Sequence, residues 1–535
     1  MSEQETYTQP SKVEARRQLI RAAVTNLSSA RSESALVRID EFNETLNFAM
    51  EHLARYLPPV HDLLNSVDAE ADLWRQFHSD QVGSKEPRQL KVLFLAGPEP
   101  MNDIEEFTLS GVRPENIWAV EGDKQIYKDA VHQLRAARAR VKIFQGSLQS
   151  FLERSTDQFD IVYYDACGPL PGGRPNTLHP LVRLFTHGRL ADLCALVTNF
   201  CAPPPEKATE YSELLANFFA VRYDGIPRSI RDSGFDPAET QYDPALLYTT
   251  VRGDLGGVYS DFVTRFIVEL FRCLFPWWRV AGTPEFSRTF FANTDQRRTA
   301  VEKATRLPTP DFSNPDWIGT FLSEIGDVHV NPSGYPLTTF LRRSEHNVLL
   351  QNLLSEKYGH AATLRDAFQL SDLLANVYEG HWHVADDTLR GLLFNGWFDW
   401  SPRQGRRAQY FCDVPLPNLL ASLVLGTMGH PHYYNCRSSK RLTYVAKVNR
   451  MYSDLLILDK CRYLHDYVST LDLLESSMQS PSFQLVIRVC MDRIHWHDFE
   501  SRSNPFSGSA IAGMGETSCA SIYSLPERNE ISPGQ

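Results

Sequence analysis

Short apolar runs alternate with polar, helix-compatible stretches between residues 90 and 205. This alternation is typical of a parallel β-sheet covered by helices, because each crossover between parallel strands needs a long connection. Gly and Pro residues interrupt the pattern and set the ends of the runs. The pattern predicts five strands, at residues 91–96, 116–121, 141–144, 159–165 and 195–200.

The regions on either side of this block have helical periodicity. Before it, apolar residues recur every three or four positions, and residues 1–85 are therefore predicted to be an N-terminal helical segment. After it, residues 206–275 are predicted to form mainly helices. Residues 278–291 have β-type content and could complete the edge of the sheet.

The rest of the chain divides into two regions. Residues 301–500 are predicted to form a mainly helical C-terminal domain, in which the longest helix spans 442–474. From residue 501 the composition turns to Ser, Gly and Pro, which predicts a disordered tail over 501–535. With an α/β domain at 86–300, the predicted organisation has four parts.

Composition places the chain among ordinary globular proteins. Of its 535 residues, 42% are hydrophobic and 22% are charged, and the length suggests roughly two to four domains. The net charge of −11 argues against a broad nucleic-acid surface but allows a local basic patch. We expect no membrane attachment and a cytoplasmic location, because apolar spans and a signal-like start are missing and the nine cysteines are unpatterned.

The first predicted strand is followed by Gly97, and the second ends in Glu121. A strand, a Gly turn, a helix and a second strand ending in a carboxylate can hold an adenosine moiety, because the carboxylate accepts hydrogen bonds from ribose hydroxyls. A helix beginning near Asn102 and Asp103 would direct its positive end towards an anionic group of the ligand.

Over residues 90–205 this arrangement resembles a class I S-adenosylmethionine-dependent methyltransferase, which has a Rossmann-like α/β fold. The matching features include Gly97, Glu121, Gly146-Ser147 after the third strand and Asp165 after the fourth. The resemblance implies S-adenosyl-L-methionine as the cofactor. The cofactor-binding residues that it implies are Ala96, Gly97, Pro98, Glu99, Glu121, Gly122, Asp123, Gly146, Ser147 and Asp165.

The first loop departs from the family pattern. Where the family usually has two or three glycines, this chain has only Gly97, followed by Pro98-Glu99-Pro100. Prolines have no backbone N–H to offer a ligand. The acidic residue often found after the third strand is replaced by Ser147. A catalytically inactive copy of the fold therefore remains an alternative.

The loop after the fourth predicted strand is the expected substrate loop. By resemblance to amino-group methyltransferases, Asp165 is the catalytic residue that would accept a hydrogen bond from the target amine. Cys167 permits a rival mechanism, in which a thiolate attacks a cytosine ring, although the cysteine of that motif follows Pro and this one follows Ala166. Asp165 could instead form a turn, and Cys167 could be a small packing residue.

Two other patterns in the sequence each have a simpler interpretation. His430, His432 and Cys436, or Cys461 with His465, could bind zinc, but their spacing matches no familiar ligand set, and we predict no metal site. Basic residues within 403–450, interleaved with tyrosines, could grip phosphates and stack bases. A solvated helix face is the simpler interpretation of the same run.

These patterns together predict an S-adenosylmethionine-dependent methyltransferase with a macromolecular substrate, because a small metabolite would not need so large an additional domain. Nucleic acid, bound through residues 403–450, is the first candidate substrate and protein is the second. N-methyl transfer is favoured. The alternative is a catalytically inactive methyltransferase-like protein that binds or scaffolds a partner.

Overall fold

The structure, a computed structural model, describes most of the N-terminal half and selected segments of the C-terminal half. The described residues are 9–56, 64–172, 176–220, 222, 226–234, 244–284, 425–446, 448–468, 480–497 and 525–532, with residues 346–355 and other short stretches or single positions between 337 and 367.

A nine-stranded sheet lies at the centre of these residues. Its first five strands are parallel to one another and are arranged in the order β3-β2-β1-β4-β5. Each predicted strand coincides with an observed one, so the predicted α/β, Rossmann-like sheet is confirmed. The bounds are β1 (Val92–Leu95), β2 (Ile117–Glu121), β3 (Lys142–Gln145), β4 (Phe159–Asp165) and β5 (Leu190–Cys201).

The remaining strands come from the C-terminal half of the chain. Two of them, β6 (Lys357–Tyr358) and β7 (Ala362–Thr363), form a separate small antiparallel pair. The others extend the central sheet beyond β5 in the order β5-β10-β9-β11, and β8 pairs with β10. They are β8 (Tyr433–Tyr434), β9 (Lys440–Ala446), β10 (Asn449–Asp459) and β11 (Arg528–Glu530).

The predicted long helix at 442–474 is wrong. Residues 442–446 of that range lie in β9 and residues 449–459 form β10; these strands are antiparallel to each other, and β10 is antiparallel to β5. From Met451 onwards every residue of β10 is buried. A strand covered on both faces has a continuous apolar run rather than an alternating one, and such a run cannot be distinguished from a buried helix by periodicity.

The end of the chain also differs from the prediction of a disordered tail. Strand β11 pairs in parallel with β9. The guanidinium of Arg528 binds the carboxylate of Asp454 on β10, with an Nη1–Oδ1 distance of 2.5 Å, and both side chains are buried. A buried ion pair and a strand ladder therefore fix this part of the tail to the sheet.

Helices cover both faces of the sheet, and the predicted N-terminal helices are present. Two clusters of buried apolar side chains result, one on each face. The helices are α1 (Pro10–Leu27), α2 (Arg31–Ser34), α3 (Ile39–Tyr56), α4 (Val67–Val82), α5 (Met101–Leu109), α6 (Lys124–Ala136), α7 (Leu148–Arg154), α8 (His179–Thr186), α9 (Ala208–Ala220), α10 (Arg228–Asp232), α11 (Pro244–Gly253), α12 (Leu255–Glu269), α13 (Phe275–Gly282), α14 (Gln351–Ser355), α15 (Arg462–His465) and α16 (Pro481–His497).

The β-type interpretation of residues 278–291 is wrong where the structure describes them. Helix α13 occupies the start of this range, and residues 285–291 lie outside the described residues. Trp277 and Trp278 are both fully buried. A helix that is packed on nearly all sides needs apolar and aromatic residues all round, and this composition resembles that of a strand.

The predicted domain boundaries remain predictions, although residues 433–459 belong to the central sheet rather than to a separate helical domain. In the described segments, no helix combines the length and apolar character needed to cross a membrane.

Candidate functional site

The order of the strands reverses beside β1. The chain adds β2 and β3 on one side of β1 and then adds β4 and β5 on the other. In open parallel sheets such a reversal opens a crevice at the carboxyl ends of the two central strands, and ligands bind there. Gly97 follows β1 and Asp165 ends β4, so two predicted site residues lie at this crevice.

Glu121 ends β2 next to the crevice, and its half-buried carboxylate connects two loops. Its Oε2 accepts a hydrogen bond from the Gly97 N–H at 3.1 Å, and its Oε1 accepts one from the Asp123 N–H at 2.7 Å. Gly97 has a φ of +59°, which glycine adopts without strain. Each carboxylate oxygen retains a second lone pair that could accept a hydrogen bond from a hydroxyl group.

Two other predicted cofactor residues begin helices. The Asp123 carboxylate accepts hydrogen bonds from the N–H groups of Gln125 and Ile126 at the start of α6. Ser147 caps α7 by accepting a hydrogen bond from the N–H of Ser150. These contacts give both side chains a structural role as N-caps. Both residues are exposed at the same edge of the sheet as Glu121.

Gly146, just before Ser147, is held close to the second loop. Its N–H donates to the backbone carbonyl of Glu121 at 2.8 Å. Its φ is +152°, and a Cβ on this residue would lie 2.6 Å from Cε1 of Phe144. Glycine is therefore required by local packing, which accounts for the Gly-Ser pair independently of any ligand.

The remaining predicted cofactor residues lie around the first loop. Ala96 is buried and donates its N–H to the Val120 carbonyl at 3.0 Å. Pro98 is half-buried, and its carbonyl accepts a hydrogen bond from the Gln133 side chain. Two further positions complete the set. Glu99 Oε2 accepts a hydrogen bond from Asn102 Nδ2 at 2.9 Å. Gly122 is exposed.

Asp165, the predicted catalytic residue, is the centre of a polar cluster. Its Oδ1 accepts a hydrogen bond from Asn199 Nδ2 at 2.8 Å, and its Oδ2 lies 3.1 Å from Lys12 Nζ. Burial alone would raise the pKa of Asp165, but the Lys12 ammonium and the hydrogen bonds from Cys167 and Asn199 hold it below its ordinary value. The carboxylate is therefore ionised at neutral pH.

Helix α1 brings a second cation to the same place. Arg16 follows Lys12 by one helical turn. Its Nε lies 2.8 Å from Oδ1 of Asp103, near the start of α5. Burial raises the pKa of Asp103 to about 6, although Arg16 opposes the shift. The start of α5 was predicted to attract an anionic ligand group. Asp103 instead places a carboxylate there, and Arg16 of α1 pairs with it.

The polar cluster extends into the strands that the sequence interpretation missed. Asn199 on β5 also donates to the Tyr444 hydroxyl at 3.0 Å, and its Oδ1 accepts from Ser453 Oγ at 2.6 Å. These partners come from β9 and β10. The only signal of the cluster in the sequence is the spacing of Lys12 and Arg16, which places two cations on one helix face.

Cys167, the rival nucleophile, donates its thiol hydrogen to Asp165 Oδ1 at 3.1 Å. The residue is exposed, but its thiol group faces the cluster, where desolvation and the Asp165 carboxylate raise its pKa. A raised thiol pKa disfavours the thiolate that cytosine-C5 chemistry needs. The environment of Cys167 therefore disfavours its role as a nucleophile.

The predicted nucleic-acid run is only partly described, since residues 403–424 and 447 lie outside the described residues. Within the described part, Arg437 pairs with Glu41, and the buried Arg441 pairs with Asp261. The neighbouring tyrosines at 433, 434 and 444 are buried. The solvated helix face is wrong for these positions, because the tyrosines and Arg441 lie in strands β8 and β9 and Arg437 lies in the turn between them. The buried tyrosines are not exposed for base stacking.

The histidines and cysteines considered as zinc ligands are mostly packed into the fold. His432, Cys461 and His465 are buried, whereas His430 and Cys436 are half-buried. Across the described segments, no group of three or more His, Cys, Asp or Glu side chains is arranged to hold a metal ion.

No family model and no curated protein matches the chain. Among solved structures, the Escherichia coli protein YhhF, described as a candidate methyltransferase, has 17% identity and a TM-score of 0.19, and the match covers 25% of this chain and 69% of that one. A candidate caffeoyl-CoA O-methyltransferase from Staphylococcus aureus has 13% identity and a TM-score of 0.18, with 40% and 82% covered. At such TM-scores the similarity carries no argument, and the fold assignment rests on the observed sheet.

Proposed function

We propose that the chain is an S-adenosylmethionine-dependent methyltransferase whose cofactor lies over the loops after β1, β2 and β3. The observation that supports the proposal is the position of Glu121, a carboxylate with spare lone pairs beside the crevice between β1 and β4. Sheets of this topology bind ligands at that crevice, and a carboxylate there suits a ribose diol. S-adenosylmethionine, when bound, supplies the methyl group.

Asp165 would position the substrate. Its lowered pKa makes it a hydrogen-bond acceptor for an amine N–H and a poor acceptor of the proton itself. By holding one N–H, the carboxylate can direct the lone pair of the amine towards the methyl group, so its contribution is orientation. We therefore propose N-methyl transfer to an amino group of a macromolecule, with nucleic acid as the first candidate and protein as the second.

A second candidate function is that of a catalytically inactive binding protein. It is favoured by Lys12, whose ammonium occupies the hydrogen-bonding position at Asp165 that a substrate amine would need. If α1 never leaves this position, the crevice is closed on the β4 side. Methyl transfer requires the Lys12–Asp165 contact to open.

Calorimetric titration of the full chain with S-adenosylmethionine tests cofactor binding. Glu121→Gln replaces an acceptor by an amide donor that faces two backbone N–H groups, so we expect affinity to fall by about tenfold or more. Glu105→Gln, at an exposed position on α5, is the matched control and should bind like the unchanged chain. Absence of heat at millimolar cofactor would retire the enzyme proposal.

A methyl-transfer assay on nucleic-acid and protein pools then separates the two candidates. Asp165→Ala should abolish transfer, whereas Cys167→Ala should retain it. Loss of activity with Cys167→Ala together with a trapped covalent adduct would instead indicate C5 chemistry. Cofactor binding without transfer to any pool, in both the unchanged chain and Lys12→Met, would favour the binding protein.

A further inference from the structure

Lys12 places an amine of the chain itself in the candidate substrate site. Its side chain is 8% exposed, and its Nζ lies 3.1 Å from Oδ2 of Asp165. Asp165 is the residue that would hold the substrate amine, so a primary alkylammonium group already occupies that position. Lysine is rarely buried to this extent, because a buried ammonium needs a charged or strongly polar partner.

The surroundings of the Lys12 ammonium suit a cation rather than a neutral amine. Burial alone would lower the pKa of Lys12, but the Asp165 carboxylate and, to a smaller degree, Tyr444 raise it above its ordinary value. The other carboxylate oxygen of Asp165, Oδ1, accepts hydrogen bonds from Asn199 and Cys167. The carboxylate is therefore held ionised from one side and binds a cation on the other.

An exchange of Lys12 for a substrate separates the two candidate substrate classes. A lysine of another protein would replace Lys12 cation for cation, so Asp165 would keep a positive partner. The exocyclic amino group of a nucleobase is uncharged, and its entry would leave a buried carboxylate without a cation, which is strongly destabilising. The described tyrosines of the 403–450 run, which would have stacked bases, are buried. The site therefore favours a lysine side chain.

The exchange requires only the first turn of α1 to open. Lys12 lies in that turn. Behind it, the buried Leu19 and Ile20 and the ion pair between Arg16 and Asp103 hold the rest of the helix on the protein. Helix ends open locally at a much smaller free energy than global unfolding. A substrate can therefore reach Asp165 without displacing the whole of α1.

We infer that the Asp165 site takes a lysine side chain, that Lys12 occupies it as an internal mimic of the substrate, and that the substrate is a lysine of another protein, which displaces Lys12. This inference rests on the proposed methyltransferase function and narrows its substrate to protein. The substrate lysine first gives one proton to water. Its nitrogen lone pair then attacks the methyl carbon of S-adenosylmethionine and displaces the sulfur, which keeps the electron pair of the broken carbon–sulfur bond. The products are methyllysine and S-adenosylhomocysteine.

Chemical rescue of Lys12→Ala tests the inference. n-Propylammonium carries the carbons and the ammonium that this substitution removes, so it should enter the vacated site. We expect about 0.1 M n-propylammonium chloride to raise the thermal unfolding midpoint of Lys12→Ala by about 3 °C or more. n-Propanol or sodium chloride at the same concentration should not reproduce the shift. With S-adenosylmethionine present, the variant should also convert n-propylamine to N-methylpropylamine, detected by mass spectrometry.

Two variants serve as controls. Lys128→Ala removes an exposed lysine from α6, and its midpoint should not respond to n-propylammonium. The double variant Lys12→Ala/Asp165→Asn should lose both the stabilisation and the methylation, because the amide carries no charge to hold the ammonium.

Absence of stabilisation of Lys12→Ala by n-propylammonium would overturn the inference. So would a chain that methylates nucleic acid but neither n-propylamine nor protein lysines, and this result would leave the proposed function standing. Should Lys12→Ala fail to fold, the unchanged chain is incubated with S-adenosylmethionine and poly-L-lysine, where Nε-methyllysine is expected after hydrolysis and its absence alongside methylated nucleic acid would count against the inference. Absence of cofactor binding in the calorimetric titration would instead remove the proposed function on which the inference rests.

Discussion

The buried pair between Lys12 and Asp165 yields the sharpest prediction about stability. Their side chains are 8% and 15% exposed, and the Nζ–Oδ2 distance is 3.1 Å. Lys12→Met leaves the carboxylate buried without its cation, a change that typically costs about 3–5 kcal/mol. Because Asp165 keeps its hydrogen bond from Asn199 and some exposure, we expect the lower end, about 3 kcal/mol.

A double-mutant cycle isolates this interaction. Asp165→Asn should also destabilise the protein, because it leaves a buried ammonium unpaired, whereas the double variant Lys12→Met/Asp165→Asn should be no less stable than either single variant. The measurement is urea unfolding at pH 7, followed by circular dichroism and tryptophan fluorescence, with coincident transitions and unchanged m-values. If the two single changes add to within about 0.5 kcal/mol, the residues are not coupled and the argument fails.

The pH dependence of the same variant gives a second check. The pKa of Asp165 is lowered in the folded protein, so its contribution is present above the ordinary value of 3.8 and is lost as the pH falls through the folded value. The difference in stability between the unchanged chain and Lys12→Met should therefore shrink below about pH 4. A difference that stays constant down to pH 2 would mean that Asp165 is not the partner.

Three further outcomes are expected. Gly146→Ala should lower the free energy of unfolding by about 2 kcal/mol, because the new Cβ would lie 2.6 Å from Cε1 of Phe144. The measurement is urea unfolding, and an unchanged midpoint would show that the loop relaxes freely. Arg528→Met should destabilise the protein by about 3 kcal/mol in the same assay, because the buried Asp454 carboxylate would lose its cation. If the double variant Arg528→Met/Asp454→Asn is less stable than Arg528→Met alone, this explanation is wrong. The pKa of Asp103 is raised to about 6, so the folded protein holds this proton more tightly than the unfolded chain does. The free energy of unfolding should therefore fall as the pH rises from about 4 to 6. If the difference in stability between the unchanged chain and Asp103→Asn does not vary with pH over this range, the reasoning is wrong.

The sequence was sufficient to predict strands β1 to β5, because each is a short apolar run bounded by turn residues and each is separated from the next by polar, helix-compatible residues. The helical prediction for residues 442–474 fails at strands β9 and β10. Strand β10 is buried on both faces, so its apolar residues do not alternate with polar ones. Without alternation, periodicity cannot distinguish a buried strand from a buried helix.

The site was predictable on one side only. Glu121 is located by the end of a strand in a βαβ unit, so its place at the carboxyl edge follows from local sequence. Lys12 reaches Asp165 across more than 150 residues of chain, and helical spacing identifies a face of α1 but not the surface against which it packs.

The placement of β10 beside β5 has a consequence for synthesis on the ribosome. Strand β5 ends at residue 201 and its partner begins at residue 449, so roughly 250 residues must be translated before that flank is covered. At about 5–20 residues per second, a long apolar β-strand would wait roughly 12–50 seconds with its hydrogen-bonding groups open to other nascent chains. We expect the growing polypeptide to need shielding by chaperones during this interval, and the protein to be prone to aggregation when made faster than they can bind it.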